Sequence, residues 1–378
     1  MTAVGVNLLW CVPGRVGGSE EYISRMLAPL ATAAPDLEIA LFVVPGFTVA
    51  HPELSTAFEI VTAPVSGAQR SVRVLAERTW LAREVRRRHL DVVHHAGGTA
   101  PPGSNGAGVV LSVHDIQYAA YPQYFRPVKR AWLRYEMPAS LRRARVITTP
   151  SEFVRGSLVE ELGADAEQIA VVPHGLPAGF ASGDFDEEAL RARYDVPGPF
   201  LVFPAVTYPH KNHLLLLDAL ARLEDRPELR LVLPGAAGLG EDALVHAIHQ
   251  RGLRDRVVRT GRVPDRDRDG LLRCADALVF PSRYEGFGAP VLEAMAVGTP
   301  VLAAATTALP EVVGSAGLLL DPDDGDAWAR AITSILDDEA LRAELIAAGR
   351  ARAAELTATR SAAALALAYR DALARPPC

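Results

Sequence analysis

The sequence predicts an α/β protein of two domains, each built on a doubly wound parallel sheet. The chain has 378 residues, too many for one ordinary core and enough for two domains of roughly 180 residues each. Its apolar runs are short and rich in valine, isoleucine and leucine, as in parallel strands buried on both faces. Between them lie amphipathic stretches of helical length.

In chain order, the first series of strands is expected at Val4 to Trp10, Glu38 to Val44, Asp91 to His95, Val109 to Val113, Val146 to Thr149 and Ile169 to Val172. A helix from Glu20 to Ala31 is the first of those that connect them. From Pro173 to Pro199 the pattern lapses into HGLPAGFASGDFDEE, a short helix and YDVPGP, a turn-rich stretch that reads as the interdomain connection. A second series follows at Phe200 to Phe203, Leu229 to Leu233, Val257 to Arg259, Ala277 to Phe280, Val301 to Ala304 and Gly317 to Leu320. Three helical segments then fill Asp326 to Leu373. The expected domains are 1–180 and 190–356, with a C-terminal helix, 357–378, crossing back to the first.

Apolar residues at 49%, charged residues at 22% and a net charge of -6 describe an ordinary globular chain without the positive excess that nucleic acid requires. Cys11, Cys274 and Cys378 are scattered and form no CxxC pair, so neither a disulfide framework nor a zinc site is expected and a reducing cytoplasm fits. The start, MTAVGVNLLWCVPG, has no basic leader, and no run of 18 apolar residues occurs; no signal peptide or spanning helix is expected. Two basic clusters, Arg83–Arg88 and Arg126–Arg145, suit either a solvated helix face or peripheral contact with anionic lipid or an anionic acceptor.

In open parallel sheets, ligands gather at the carboxyl ends of the strands, so the residues after each strand carry the functional reading. Pro281 to Thr299 reads PSRYEGFGAPVLEAMAVGT. Glu285 precedes Gly286, Phe287 and Gly288; Ala289 and Pro290 open a helix; Glu293 lies eight residues beyond Glu285. Glycines admit a ligand close to the backbone, and the first-turn amides with the helix dipole behind them seat a diphosphate. Glu285 is placed to accept bonds from sugar hydroxyls and Glu293 from a ribose diol, since one carboxylate accepts two bonds. Turn formation by the glycines and dipole complementation by Glu293 are the plainer alternative.

EGFGAPVLEAMAVGTPV resembles the E-x7-E signature of retaining glycosyltransferase family 4, which has the GT-B fold: two Rossmann-like domains facing a central cleft. GRVGGSEEY, SVHDIQY, TPSEFVRGSL, VVPHG, PHKN and GRVPDRD follow in the family's usual order. The resemblance implies donor-sugar contact by Glu285 and donor-ribose contact by Glu293. It also implies retention of anomeric configuration, with a nucleotide diphosphate sugar as donor substrate and no further cofactor.

Lys211, in PAVTYPHKNH, reads as the phosphate partner, because a lysine at a helix start is unfavourable beside the dipole unless an anion offsets it. The family commonly has an arginine a few residues earlier; here Ala205, Val206 and Thr207 occupy that region, leaving His210 or Thr207 for the second phosphate contact. Gly14, Gly17 and Gly18 can admit a phosphate or an acceptor. GRVGGS misses the dinucleotide fingerprint and the second strand lacks its ribose-binding acid, which argues against a nicotinamide dehydrogenase. His114 ends a strand, where spacing alone allows a turn histidine; the resemblance implies a place against the donor sugar. Ser151 reads as an N-cap and His94–His95 as satisfied by neighbours. Asp265, Asp267 and Asp269 read as helix-opening acids, with no metal site expected.

The function expected is hexosyl transfer, with GDP-mannose ahead of UDP-glucose and UDP-N-acetylglucosamine, to a glycan, lipid-linked or small-molecule hydroxyl. The rivals are a sugar-nucleotide epimerase or sugar-phosphate synthase of the same fold and a non-catalytic sugar-nucleotide binder.

Overall fold

The computed structural model describes residues 1–15, 18–104, 106–183 and 185–376. The chain divides into two units, Met1–Pro177 with Thr357–Cys378, and Ala178–Leu356.

The first unit holds a seven-stranded sheet: β1 (Thr2–Asn7), β2 (Leu37–Val43), β3 (Glu59–Thr62), β4 (Val92–His95), β5 (Gly108–Ser112), β6 (Val146–Thr149) and β7 (Ile169–Val171). The order is β3-β2-β1-β4-β5-β6-β7, every pair parallel. The second holds β8 (Phe200–Val202), β9 (Arg230–Pro234), β10 (Val257–Gly261), β11 (Ala277–Phe280), β12 (Val301–Ala304) and β13 (Leu318–Leu320). Their order is β10-β9-β8-β11-β12-β13, again all parallel. Strand order reverses between β1 and β4 in one sheet and between β8 and β11 in the other, so each sheet has a switch point where the loops on its two sides part and leave a crevice.

Three expectations are corrected. The first strand ends at Asn7, not Trp10: Leu8 and Leu9 are fully buried but turn away from the sheet, Leu9 N donating back to the Asn7 side chain. The first helix, Gly18–Leu27, stops before Pro29, and a separate turn, Leu30–Ala33, follows; proline bars the helical continuation. The sequence reading also passed over β3, whose four residues are exposed or half-buried at the sheet edge.

The C-terminal helix, Ala358–Ala374, belongs to the first unit. It buries Ala362, Leu365, Ala366, Tyr369 and Ala372 there, and the Tyr369 hydroxyl lies 2.9 Å from His94 Nδ1. The chain reaches that helix beside its own earlier pass: Leu176 bridges Thr357, and Ala358 N donates to Leu176 O at 2.8 Å. Among the described residues no helix is long and apolar enough to cross a membrane.

Candidate active site

In the second unit the switch point brings together the loops after β8 and β11. Phe200–Phe203 and Ala277–Phe280 are almost wholly buried, so the chain leaves both strands at fixed positions. The loop after β8 runs against the loop after β9 backbone to backbone: a Cβ on Gly235 would meet Ala205 O at 2.0 Å, so only glycine permits this approach. Thr207 Oγ1 donates to Glu241 at 2.6 Å and accepts from Gly238 N at 2.6 Å. Its hydroxyl is therefore committed to holding the loop, which removes it as the substitute for the missing arginine. His210 is buried, its imidazole pushed down to about 3 by that burial and by the Lys211 charge beside it. A neutral ring offers hydrogen bonds but no charge to a phosphate.

Lys211 closes a short turn, Pro209–Lys211, just ahead of the helix His213–Arg222. The anion that offsets it in this structure is Glu285: Lys211 Nζ to Glu285 Oε1 is 2.5 Å, with side chains 19% and 13% exposed. Two charged groups 74 positions apart thus meet because β8 and β11 are neighbours. Glu285 is held in turn by Thr307, whose hydroxyl accepts its N–H at 3.1 Å. Ser282, fully buried, and Thr306 brace the same loop through the carbonyls of Tyr284 and Arg283. Thr307 adopts φ 55, a conformation uncommon for a residue other than glycine and found at functional sites.

Phe287 is buried and Gly288 caps the helix Ala289–Val297 at φ 99. A Cβ there would meet the tip of the Leu309 side chain, Cδ2 at 2.6 Å, which can move aside; it is the backbone conformation that demands glycine. The first turn of this helix contains Pro290 and no acid. Glu293 lies a turn further on and is 2% exposed, its Oε2 3.9 Å from Arg268 Nε. It therefore complements Arg268 rather than the helix dipole, whose effect is confined to the first turn. Gly286 lies in the loop between Glu285 and Phe287.

Asp265, Asp267 and Asp269 open the helix Asp265–Cys274 and face arginines: Asp265 and Asp269 pair with Arg268, and Asp267 accepts from Arg193 and Tyr194.

In the first unit His114 follows β5 and is half-buried. Its Nε2 lies 2.9 Å from Ala96 O; a carbonyl only accepts, so Nε2 carries the proton. Burial holds the ring below the ordinary histidine range. The neutral tautomer then leaves Nδ1 as a hydrogen-bond acceptor. Tyr22 meets the His114 ring edge-on at 5.4 Å and stacks on His174 at 3.8 Å, while its hydroxyl donates to Val172 O. Trp10 lies 6.3 Å from His114, its buried indole N–H without an acceptor among the described residues. Gly14 N donates to Glu20, which also meets His51. Gly18 begins the helix Gly18–Leu27, and a Cβ there would meet nothing within 4 Å. Gly17 lies outside the described residues.

Ser151 caps its helix, accepting from Val154 N at 3.2 Å. His94 is satisfied by Tyr369 and Ser112, and His95 by Asn7. The sequence reading missed Thr306, Thr307, Arg268, Trp10, Tyr22 and His174. The position of Thr306–Thr307 just after β12 was the one available signal.

Two doubly wound parallel sheets, one of them with a lysine, a carboxylate and a glycine-capped helix at its switch point, define the GT-B class of glycosyltransferase. Anabaena Alr3699/HepE in complex with UDP and glucose shares the fold, with a TM-score of 0.73 at 22% identity over 96% of this chain and 97% of that one. Residues 186–352 match the model of glycosyl transferases group 1, and residues 16–179 that of glycosyltransferase family 4. The MMP alpha-(1->4)-mannosyltransferase of Mycolicibacterium hassiacum is 30% identical over 331 residues, 82% of this chain and 76% of that protein. O-antigen chain mannosyltransferase B of Escherichia coli is 33% identical over 253 residues, 66% of each chain and so just under two thirds of the relative's length. The chain belongs to glycosyltransferase family 4.

Proposed function

We propose that the protein is a retaining hexosyltransferase that takes a nucleotide diphosphate sugar, GDP-mannose first among candidates, and needs no metal or other cofactor. The observation that carries this reading is the Lys211–Glu285 pair beside the glycine-capped helix Ala289–Val297. The donor diphosphate is assigned to Lys211 and the first-turn amides of that helix, with Gly286, Phe287, Gly288 and Ala289 shaping its seat and His210 lining it as a neutral group. Glu285 is assigned to the sugar hydroxyls and Glu293 to the ribose. The second unit, Ala178–Leu356, is assigned as the donor domain, and the first, whose sequence carries Gly17 and Gly18, as the acceptor domain. The two relatives named as mannosyltransferases favour mannose as the sugar, and the one named for an O-antigen chain favours a glycan acceptor.

In the step itself, the bond from the anomeric carbon to the diphosphate oxygen breaks and its electron pair leaves on the diphosphate. Lys211 neutralises the charge that grows there, an interaction stronger in the transition state than in the ground state. The acceptor oxygen then bonds to the anomeric carbon on the face the diphosphate leaves, and its proton passes to the departing phosphate oxygen. His114 Nδ1 is assigned as an acceptor for a sugar hydroxyl.

The test is proton NMR of the first product formed from an α-linked donor, with and without EDTA. An α-linked product formed equally fast in EDTA supports the reading. A β-linked product, or loss of turnover in EDTA, refutes it.

A further inference from the structure

Glu293 meets the neighbouring helix, Asp265–Cys274, through one guanidinium. It sits on the helix Ala289–Val297, almost wholly buried, with Arg268 Nε 3.9 Å from its Oε2. A buried carboxylate with no cation beside it is costly. At this distance the contact is an ion pair and not a hydrogen bond, so Arg268 offsets the charge of that oxygen without occupying its lone pairs. A carboxylate that is to accept two bonds from a diol needs both conditions.

The guanidinium is aimed by its own helix. Its Nε and Nη2 lie 3.0 and 2.9 Å from Asp269 Oδ1, and its Nη1 lies 3.3 Å from Asp265 Oδ1. These two aspartates are 29% and 76% exposed, so water can serve them; Glu293, its side chain 3% exposed, is the acid that requires the cation. The helix carrying Arg268 is fixed in turn. Asp267 accepts from Arg193 and Tyr194 at 2.7 and 2.6 Å. Gly270 lies so near Leu190 that a Cβ would come within 2.8 Å of its Cδ2. Leu272 O accepts from Thr299 Oγ1 at 2.5 Å, two residues beyond the helix that bears Glu293.

We propose that Arg268 is a positioning residue for Glu293 and thereby sets a preference for donors built on ribose over donors built on 2′-deoxyribose. The inference rests on the assignment of Glu293 to the ribose, and adds to it a second residue and a class of donor that is refused. A 2′-deoxy donor withdraws one hydroxyl, and the buried carboxylate held in place by Arg268 is left without that bond.

The experiment is calorimetric titration of the full chain with GDP against 2′-deoxy-GDP and with UDP against 2′-deoxy-UDP. For at least one base the wild type should bind the ribose form on the order of 10- to 100-fold more tightly, as for one hydrogen bond to a charged group. Glu293→Ala should abolish that ratio. Arg268→Met should bring it below about threefold, and Arg268→Lys, which returns a cation, should recover part of it. Arg193→Gln, which loosens the same helix through Asp267, should leave the ratio unchanged, because loosening alone lowers both affinities together. Should Arg268→Met not fold, Asp269→Asn keeps the cation but slackens its aim, and should lower the ratio about threefold. A ratio kept in Arg268→Met and Asp269→Asn but lost in Glu293→Ala overturns the role of Arg268 alone, as does an equal fall in both affinities. A ratio kept in Glu293→Ala, or a wild type that binds neither ribose form better than its deoxy counterpart, overturns the ribose assignment and this inference with it.

Discussion

Replacing Lys211 by methionine keeps the length of the side chain and removes its charge. In the resting protein the substitution strands Glu285, a carboxylate only 13% exposed, without the ammonium 2.5 Å away. Losing one such charge-assisted bond costs about 1.5–3 kcal/mol, which for a domain of this size lowers Tm by roughly 3–10 °C. In the reaction the loss is different in kind. A cation about 4 Å from a leaving oxygen is worth about 4 kcal/mol at an effective dielectric constant near 20, and removing one electrostatic stabiliser typically slows turnover ~100- to 1000-fold. The assay is release of nucleoside diphosphate from the preferred donor, run on Lys211→Met, Glu285→Gln and the double variant. If Glu285 also binds the donor sugar, the double variant is slower than Lys211→Met by about tenfold. If Glu285 only positions the lysine, the two are equal. Turnover of Lys211→Met within threefold of wild type would refute the assignment of the diphosphate to this residue.

Glu293→Ala should weaken nucleotide-sugar affinity at least ~10-fold, about one good carboxylate–diol contact, as read by titration calorimetry; unchanged affinity moves the ribose elsewhere. Gly235→Ala touches no proposed ligand, yet it drives a methyl into the Ala205 carbonyl and should lower both Tm and donor affinity; a neutral result would mean that the loop carrying Lys211 is not held there. Burial pushes His94 and His210 down to about 3 and His95 and His213 to about 4, and lowers His114 and His174. The unfolded chain therefore binds more protons than the folded one below about pH 6.5. Stability is complete above that value and falls as pH drops towards 4. Four of these six histidines lie in the first unit, so it should unfold at higher pH than the second, the first followed by the fluorescence of Trp10, Trp80 and Trp132 in Trp328→Phe and the second by that of Trp328 in a variant lacking the other three. Coincident transitions of the two units would count against this.

Much of this was legible in the sequence because the second unit follows its rules closely: Ala277–Phe280 and Val301–Ala304 form strands over the residues their apolar runs mark. Legibility failed where local pattern and tertiary position disagree. Leu8, Leu9 and Trp10 look like strand but form the buried turn at the first switch point. Glu59–Thr62 is a weak pattern made a strand by β2 beside it. The Arg83–Arg88 cluster reads as a free basic patch until Glu59, 29 positions away from Arg88, is placed against it. The meeting of Lys211 with Glu285 depends on strand order, which no single segment encodes. The same holds for the bracing of Glu285 by Thr307 after β12.

The central claim, a nucleotide-sugar site on the second unit, is tested most directly by a thermal-shift panel of GDP-, UDP-, ADP- and TDP-sugars, each with and without magnesium. A ligand at one hundred times its Kd stabilises the folded state by about 2.7 kcal/mol, or roughly 5–10 °C here. The account predicts such a shift with one nucleotide class, GDP-mannose first, unaffected by magnesium and lost in Glu293→Ala. No shift with any of them, or an equal shift in Glu293→Ala, would contradict it.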